Sequence, residues 1–128
     1  MSEERLELSD VRRLMRENMG VSPPTASTLN RYGLSADEWW QLLDSQDGVC
    51  PICDRVPNLS AKTGKVRFVI DHEHVRGWKN MPPEKRKLYV RGLTCWFCNH
   101  SFLGRGITID KAERVAEYLS RYAQRRPK

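Results

Sequence analysis

Two cysteine pairs, CPIC at Cys50–Cys53 and CWFCN at Cys95–Asn99, constrain this chain more than any other feature. A tight CxxC turn aims both thiolates at one point, and two such turns complete a tetrahedron around one soft metal ion. Four thiolates select zinc in a site without redox chemistry. The competing readings are a redox pair or four unrelated buried thiols. Roughly forty residues lie between the pairs. That is more than a compact zinc ribbon needs, so the segment between them must hold folded structure of its own. The N-terminus, MSEERLELSD, has no apolar stretch of the kind that directs export, and no run is long enough to span a bilayer. The expected setting is therefore the reducing cytoplasm, with no membrane partner and with the cysteines as metal ligands rather than disulfides.

A closed four-thiolate site leaves zinc no open position. The histidines of IDHEHV, residues 70–75, then need a different role. Upstream of them, KVRFVID (65–71) alternates Val66, Phe68 and Ile70. That period predicts a strand ending at Asp71 and His72. LYVRGL (88–93) reads as the returning strand, and GWKNMPPEKRK (77–87) between them reads as a polar, basic loop. On a continued strand Asp71 and Glu73 would face one side, His72 and His74 the other. A carboxylate is a hard ligand suited to magnesium or manganese, and an imidazole is the natural general base near neutral pH. Asn99 directly follows Cys98, so a bound metal would pin its backbone, and its amide oxygen offers a second hard ligand. Glu73 reads rather as a solvated carboxylate, and His100 as a packing or phosphate-contact residue. Lys and Arg number 22 against 16 Asp and Glu, a net charge of +6. That excess favours an anionic partner such as nucleic acid, or serves solubility alone. A hard cation, a positioned base and a basic surface are the parts needed to hydrolyse a phosphodiester.

The rest of the chain reads mainly as helix. LSDVRRLMRENM (8–19) places Val11, Leu14, Met15 and Met19 at helical spacing, with Ser9 as cap and Gly20 as stop. Its Arg12, Arg13 and Arg16 lie off that stripe, as a solvated face or as phosphate contacts. VSPPTAS (21–27) reads as a linker, because consecutive prolines disfavour helix. In GLSADEWWQLLDSQDG (33–48), Ser35 and Glu38 form a capping box. Trp39, Trp40, Leu42 and Leu43 then supply an apolar face, better suited to a core than to base stacking. A short helix is expected near Cys98. Thr108 caps a last helix over 108–124, striped by Ala112, Val115, Ala116, Leu119, Tyr122 and Ala123. The expected division is an N-terminal helix and linker over 1–29 and one domain over 30–128.

CxxC, then DHxH, then VRGLxCxxCN resembles the recombination endonuclease VII family, a phage-associated branch of the HNH or ββα-metal nucleases. YGLSADEWWQLLDSQDGVCPIC upstream and LGRGITIDKAERVAEYL downstream are similar to it as well, so the likeness runs over roughly residues 30–122. The resemblance implies an α+β fold with a zinc-stabilised ββα-metal core of treble-clef type and flanking α-helices. It implies that Cys50, Cys53, Cys95 and Cys98 bind structural zinc and that Asp71 and Asn99 hold one catalytic cation, Mg2+ or Mn2+. His72 would be the general base, and His74 would assist at the phosphate or leaving group. The implied activity is metal-dependent endonucleolytic cleavage of DNA, with branched or junction DNA among the candidate substrates, in a phage- or mobile-element-encoded protein of a bacterial host. A homodimer would cut both strands most simply. The alternative from a different class is a non-catalytic, zinc-stabilised nucleic-acid-binding module. The chain departs from the compact pattern by inserting VRGWKNMPPEKRKLY before the second strand. This adds Arg76, Lys79, Lys85, Arg86 and Lys87, as a DNA-contacting flap or as a solvated loop.

Overall fold

The computed structural model describes residues 7–104 and 106–127. Helix α1 (Leu8–Met19) opens the chain, followed by α2 (Ala26–Arg31) and α3 (Ala36–Ser45). Strands β1 (Val69–His72) and β2 (Val90–Thr94) form one antiparallel pair. A single turn, α4 (Pro83–Arg86), lies between them, and another, α5 (Trp96–Cys98), follows them. The latter continues into a π-helical turn over Asn99–Leu103, and α6 (Ile109–Arg125) closes the chain. The result is a mixed architecture of helices around a two-stranded sheet. No helix is long and apolar enough to cross a membrane among the described residues.

The α3 segment folds as its sequence demands. The Ser35 hydroxyl accepts from the Glu38 N–H at 3.1 Å, and the Glu38 carboxylate accepts from the Ser35 N–H at 3.0 Å. Two helix-end donors are thereby satisfied. Trp39, Trp40 and Leu43 are buried, with Trp39 edge-on to Trp40 at 5.0 Å and to Phe68 at 6.3 Å. They join Val21, Leu29, Leu34, Val66, Ile70 and Leu93 in one core. Both tryptophans are therefore core residues, and neither presents a free face for base stacking. Gly48, at φ 76, ends this segment, and its N–H donates to the Leu43 carbonyl.

Several boundaries differ from the sequence expectation. The cap of α1 is Glu7, without a side-chain bond, rather than Ser9. Gly20 does stop that helix, at φ 68. The expected linker is partly ordered. Val21 is fully buried and bridges Val66, and Thr25 accepts from the Thr28 N–H to start α2. Pro24 precedes this cap, so helix formation merely waits until the prolines have passed. The first strand is shorter than 65–71, because Val66 pairs with Val21 and Leu59 in isolated bridges instead of with β2. The apolar stripe of α6 is exposed: Val115, Leu119 and Tyr122 are all about half accessible, and no residue of that helix is buried.

The basic segment before β2 is not a plain loop. It forms a 3-10 turn at Trp78–Asn80, then α4, then a second 3-10 turn at Lys87–Tyr89. It is tied down on the α2–α3 side. The Arg86 guanidinium donates to the Arg31 carbonyl at 2.7 Å and to the Met81 carbonyl at 2.8 Å, and Lys87 pairs with Glu38. Gly33, at φ +73, is required here, because a Cβ on it would meet the Pro83 carbonyl oxygen at 1.9 Å.

Candidate functional site

The cysteine site is built by two local turns. After α3, the Cys50 N–H donates to the Arg55 carbonyl and the Cys50 carbonyl accepts from the Asp54 N–H, both at 2.8 Å. Asp54 reaches φ 60 to close this knuckle, a left-handed position that aspartate tolerates better than most residues. At the other end Cys95 caps α5, its sulphur accepting from the Cys98 N–H at 3.3 Å. The four Sγ atoms lie within 4.8 Å of one another, and Cys53 and Cys95 are 3.9 Å apart. Sulphurs around a zinc ion at ~2.3 Å would be about 3.8 Å apart, so the spacing fits a single ion. Cys50 and Cys98 are buried; Cys53 and Cys95 are half-buried. Burial pushes the Cys50 thiol up, but the N–H groups of Cys53, Cys95 and Ile52 outweigh it and bring the group down to about 7. Burial, followed by the neighbouring thiols, pushes Cys98 strongly up. Four sulphurs this close strain against one another as thiolates, and a shared cation relieves that strain. The donor set is therefore that of a structural zinc site.

Strand β2 runs straight from the hairpin into this cluster, and Gln46 braces the junction. Its amide donates to the Leu93 carbonyl at 2.7 Å and to the Val49 carbonyl at 3.1 Å, while its oxygen accepts from the Leu93 N–H at 2.7 Å. Gly92 makes room for it, since a Cβ there would lie 2.7 Å from the Gln46 oxygen. Nothing in the sequence marks this glutamine, because both of its partners are backbone groups and the second is far along the chain.

At the end of the hairpin where the inserted segment joins the two strands stand the DHxH residues. Asp71 pairs across the sheet with Gly92 and His72 with Val90. The step from Asp71 to His72 thus spans two steps on β2, and Arg91 is the extra residue of a β-bulge. Asp71 is buried at 4% exposure, and both its oxygens accept from Arg91: Nε at 2.7 Å and Nη2 at 2.9 Å. His72 is half-buried and stacks on Trp78, with ring centroids 4.1 Å apart and planes at 24°. Tyr32 meets its edge at 5.6 Å, and the His74 ring lies 5.0 Å away. Burial, then the neighbouring His74 charge, lowers the His72 pKa, which favours the neutral imidazole. His72, His74, Trp78 and Lys79 line a cleft of about 360 Å³. Glu73 is exposed, and its N–H donates to the Tyr89 carbonyl, extending the pairing beyond His72.

The expected residues thus fall into separate groups. The four cysteines converge, and His72 and His74 share one cleft. Asp71 is bound by Arg91, a partner that sequence reading did not anticipate. Asn99 is half-buried at the head of the π-helical turn, its N–H donating to the Cys95 carbonyl at 3.0 Å. Its side chain makes no hydrogen bond among the described residues. The rings of His100 and Trp96 stack at 4.7 Å, a packing role. The four cysteines form the one cluster of three or more His, Cys, Asp or Glu ligand atoms found among the described residues. The larger cavity of about 750 Å³ lies against Cys53, Cys95, Trp96 and Phe102 rather than beside Asp71. In the inserted segment, Arg86 and Lys87 are engaged by protein groups, whereas Arg76, Lys79 and Lys85 are exposed.

A sulphur cage at the open end of a short hairpin, with paired histidines where the inserted segment connects its strands, defines a metal-stabilised domain with candidate hydrolytic chemistry. The profile of recombination endonuclease VII matches residues 25–121, and the chain belongs to that family. It is similar to the Gene 59 protein of Mycobacterium phage L5, with 37% identity over 92 residues, covering 71% of this chain and 46% of that protein. It is also similar to the Gene 59 protein of Mycobacterium phage D29, with 34% identity over 92 residues and the same coverage. The chain spans about half the length of these curated relatives. No solved structure matches it. The family is one of nucleases, and the four-cysteine cluster fits its zinc.

Proposed function

We propose that the protein is a metal-dependent DNA endonuclease of the HNH type, with a ββα-metal core formed by β1, β2 and the helical turn after Cys95. The nuclease unit is residues 30–128, preceded by the helix and linker of 1–29. The observation that carries this reading is the meeting of His72 and His74 at 5.0 Å in one open cleft, on a hairpin that leads directly into Cys95, in a chain of this family.

His72 is the general base. Trp78 and Tyr32 fix its ring, and partial burial keeps it neutral and ready to accept a proton from water. His74 contacts the phosphate or protonates the leaving oxygen. Asp71 and Asn99 offer oxygen donors of the class that Mg2+ and Mn2+ prefer. The buried Asp71 carboxylate already sits against a positive group, as a cation ligand would. A divalent ion there would neutralise charge developing on the scissile phosphate. Lys79 on the cleft wall, with the exposed Arg76 and Lys85 of the same segment, supplies sequence-independent contacts to the phosphate backbone. Branched or junction DNA is a candidate substrate beside plain duplex, and a homodimer would cut both strands most simply.

The second reading, a zinc-stabilised nucleic-acid binder without catalysis, draws on the bidentate occupation of Asp71 by Arg91. One assay separates the two. Supercoiled plasmid is incubated with the zinc-loaded protein and Mg2+ or Mn2+, with and without EDTA, beside a His72→Ala variant. Nicking that chelation abolishes, and that the variant loses by orders of magnitude while still binding DNA, supports the nuclease. Equal behaviour of wild type and variant removes it. Cruciform against linear DNA of the same sequence tests the branch preference.

A further inference from the structure

We propose that Arg91 is a built-in placeholder for the divalent cation at Asp71, and that on displacement its guanidinium takes up a backbone phosphate of the nucleic acid. This rests on the reading of Asp71 as a cation ligand.

The Asp71 side chain is 5% exposed and the Arg91 side chain 38%. A carboxylate so buried is tolerated only with a positive or hydrogen-bonding partner. Arg91 provides one through a single edge, Nε and Nη2, which covers both carboxylate oxygens. A guanidinium carries five N–H donors, so three remain outside this pair. They belong to a residue whose side chain solvent reaches. Two parallel donors on a planar cation fit phosphate as well as they fit carboxylate.

The bulge places Arg91 there by construction. Gly92 faces Asp71 and Val90 faces His72, and Arg91 is the residue between them without a partner. In a regular ladder it would be paired with one of those two, and its side chain would follow the alternation of the strand. Bulges characteristically re-aim a side chain, and this one turns a cation onto the carboxylate next to the candidate base. A divalent ion and the guanidinium cannot share the same covered face of Asp71, because like charges at such range repel strongly. Cation entry and release of Arg91 are therefore one event. The released arginine stays within reach of the phosphate that the cation engages. The apo protein keeps its buried carboxylate neutralised, and the arginine contacts phosphate only once the cation is in place.

The test uses the full-length, zinc-loaded protein with Mn2+ as the probe. Mn2+ binding is measured by calorimetry and by electron paramagnetic resonance for wild type, Arg91→Ala, Arg91→Gln and Asp71→Asn, with zinc content and melting temperature recorded for each. Removing the competitor should tighten Asp71-dependent Mn2+ binding by about tenfold, a typical coupling between two ligands for one site. Arg91→Gln fills the same space, so it reports on charge if Arg91→Ala is poorly folded. Binding of duplex DNA is then measured in a His72→Ala background against salt. With Mn2+ present, loss of Arg91 should lower the salt slope by about one phosphate contact; in the zinc-loaded protein without added Mn2+ the slope should not change. Mn2+ binding that is unchanged or weaker in both Arg91 variants, yet lost in Asp71→Asn, overturns the placeholder and leaves the cation site standing. No Asp71-dependent Mn2+ binding in any protein removes both.

Discussion

His72 and Trp78 lie nearly face to face, ring centroids 4.1 Å apart, although one belongs to the hairpin and the other to the segment inserted within it. Trp78 is buried at 8% exposure and carries Arg86 over its ring at 5.6 Å. Trp78→Ala should therefore cost about 3 kcal/mol of stability, in the range for truncating a buried aromatic. It should also narrow the signal of the His72 ring in NMR spectra by freeing its fast motion. Trp78→Phe should restore most of the stability. Denaturant melts of the three proteins check this, and an unperturbed Trp78→Ala melt would contradict the packing.

Removal of zinc should unfold the centre of the molecule, because metal binding free energy at such a site is folding free energy. Cys95→Ser should lose the ion while its hydroxyl can still cap α5, so the variant isolates the loss of the metal. Metal content and circular dichroism report it. A folded variant with a full equivalent of zinc would be incompatible with a four-thiolate site.

Gln46→Ala should weaken the molecule by about 2 kcal/mol, because the Leu93 N–H and carbonyl lose a part-buried partner at once. Gly92→Ala presses on the same glutamine oxygen and should be destabilising in the wild type. Combined with Gln46→Ala, its cost should shrink, and a double-mutant cycle of urea midpoints measures the difference.

Acid should loosen the inserted segment before it melts the core. The Lys87 ammonium, then the Ser35 N–H, hold the Glu38 carboxyl below its ordinary value. A lowered carboxyl pKa contributes stability above the unfolded value, and this is lost as pH falls through the lowered folded one. The tether should thus be intact at neutral pH and fail below the usual glutamate range. Glu38→Gln keeps the cap on α3 but removes the charge pair. It should cost less than about 1 kcal/mol, as befits a partly exposed pair, and abolish this acid-dependent step. Hydrogen exchange of the Trp78–Tyr89 amides against pH reads it out.

Local chemistry was legible in the sequence and long-range pairing was not. Ser35 and Glu38 sit three residues apart, so their reciprocal bonds follow from helix geometry alone, and each CxxC turn likewise carries its own instructions. Arg91 illustrates the opposite case. An alternation of period two has no mark for a single extra residue, so the bulge that turns Arg91 onto Asp71 is visible only when both strands are placed. Trp78 stands among glycine, lysine and proline, which reads as loop; its burial depends on His72, Tyr32 and Arg86, none of them near neighbours in the chain. The stripe of α6 was read correctly as periodic, but periodicity does not say what covers it.

The ring on which His72 stacks comes from the stretch between the two strands, anchored by Gly33, Glu38 and the Arg31 carbonyl rather than by the sulphur cage. Loss of those anchors would therefore loosen the stacking partner of His72 while leaving the knuckle at Cys50, closed by its own backbone bonds, in place.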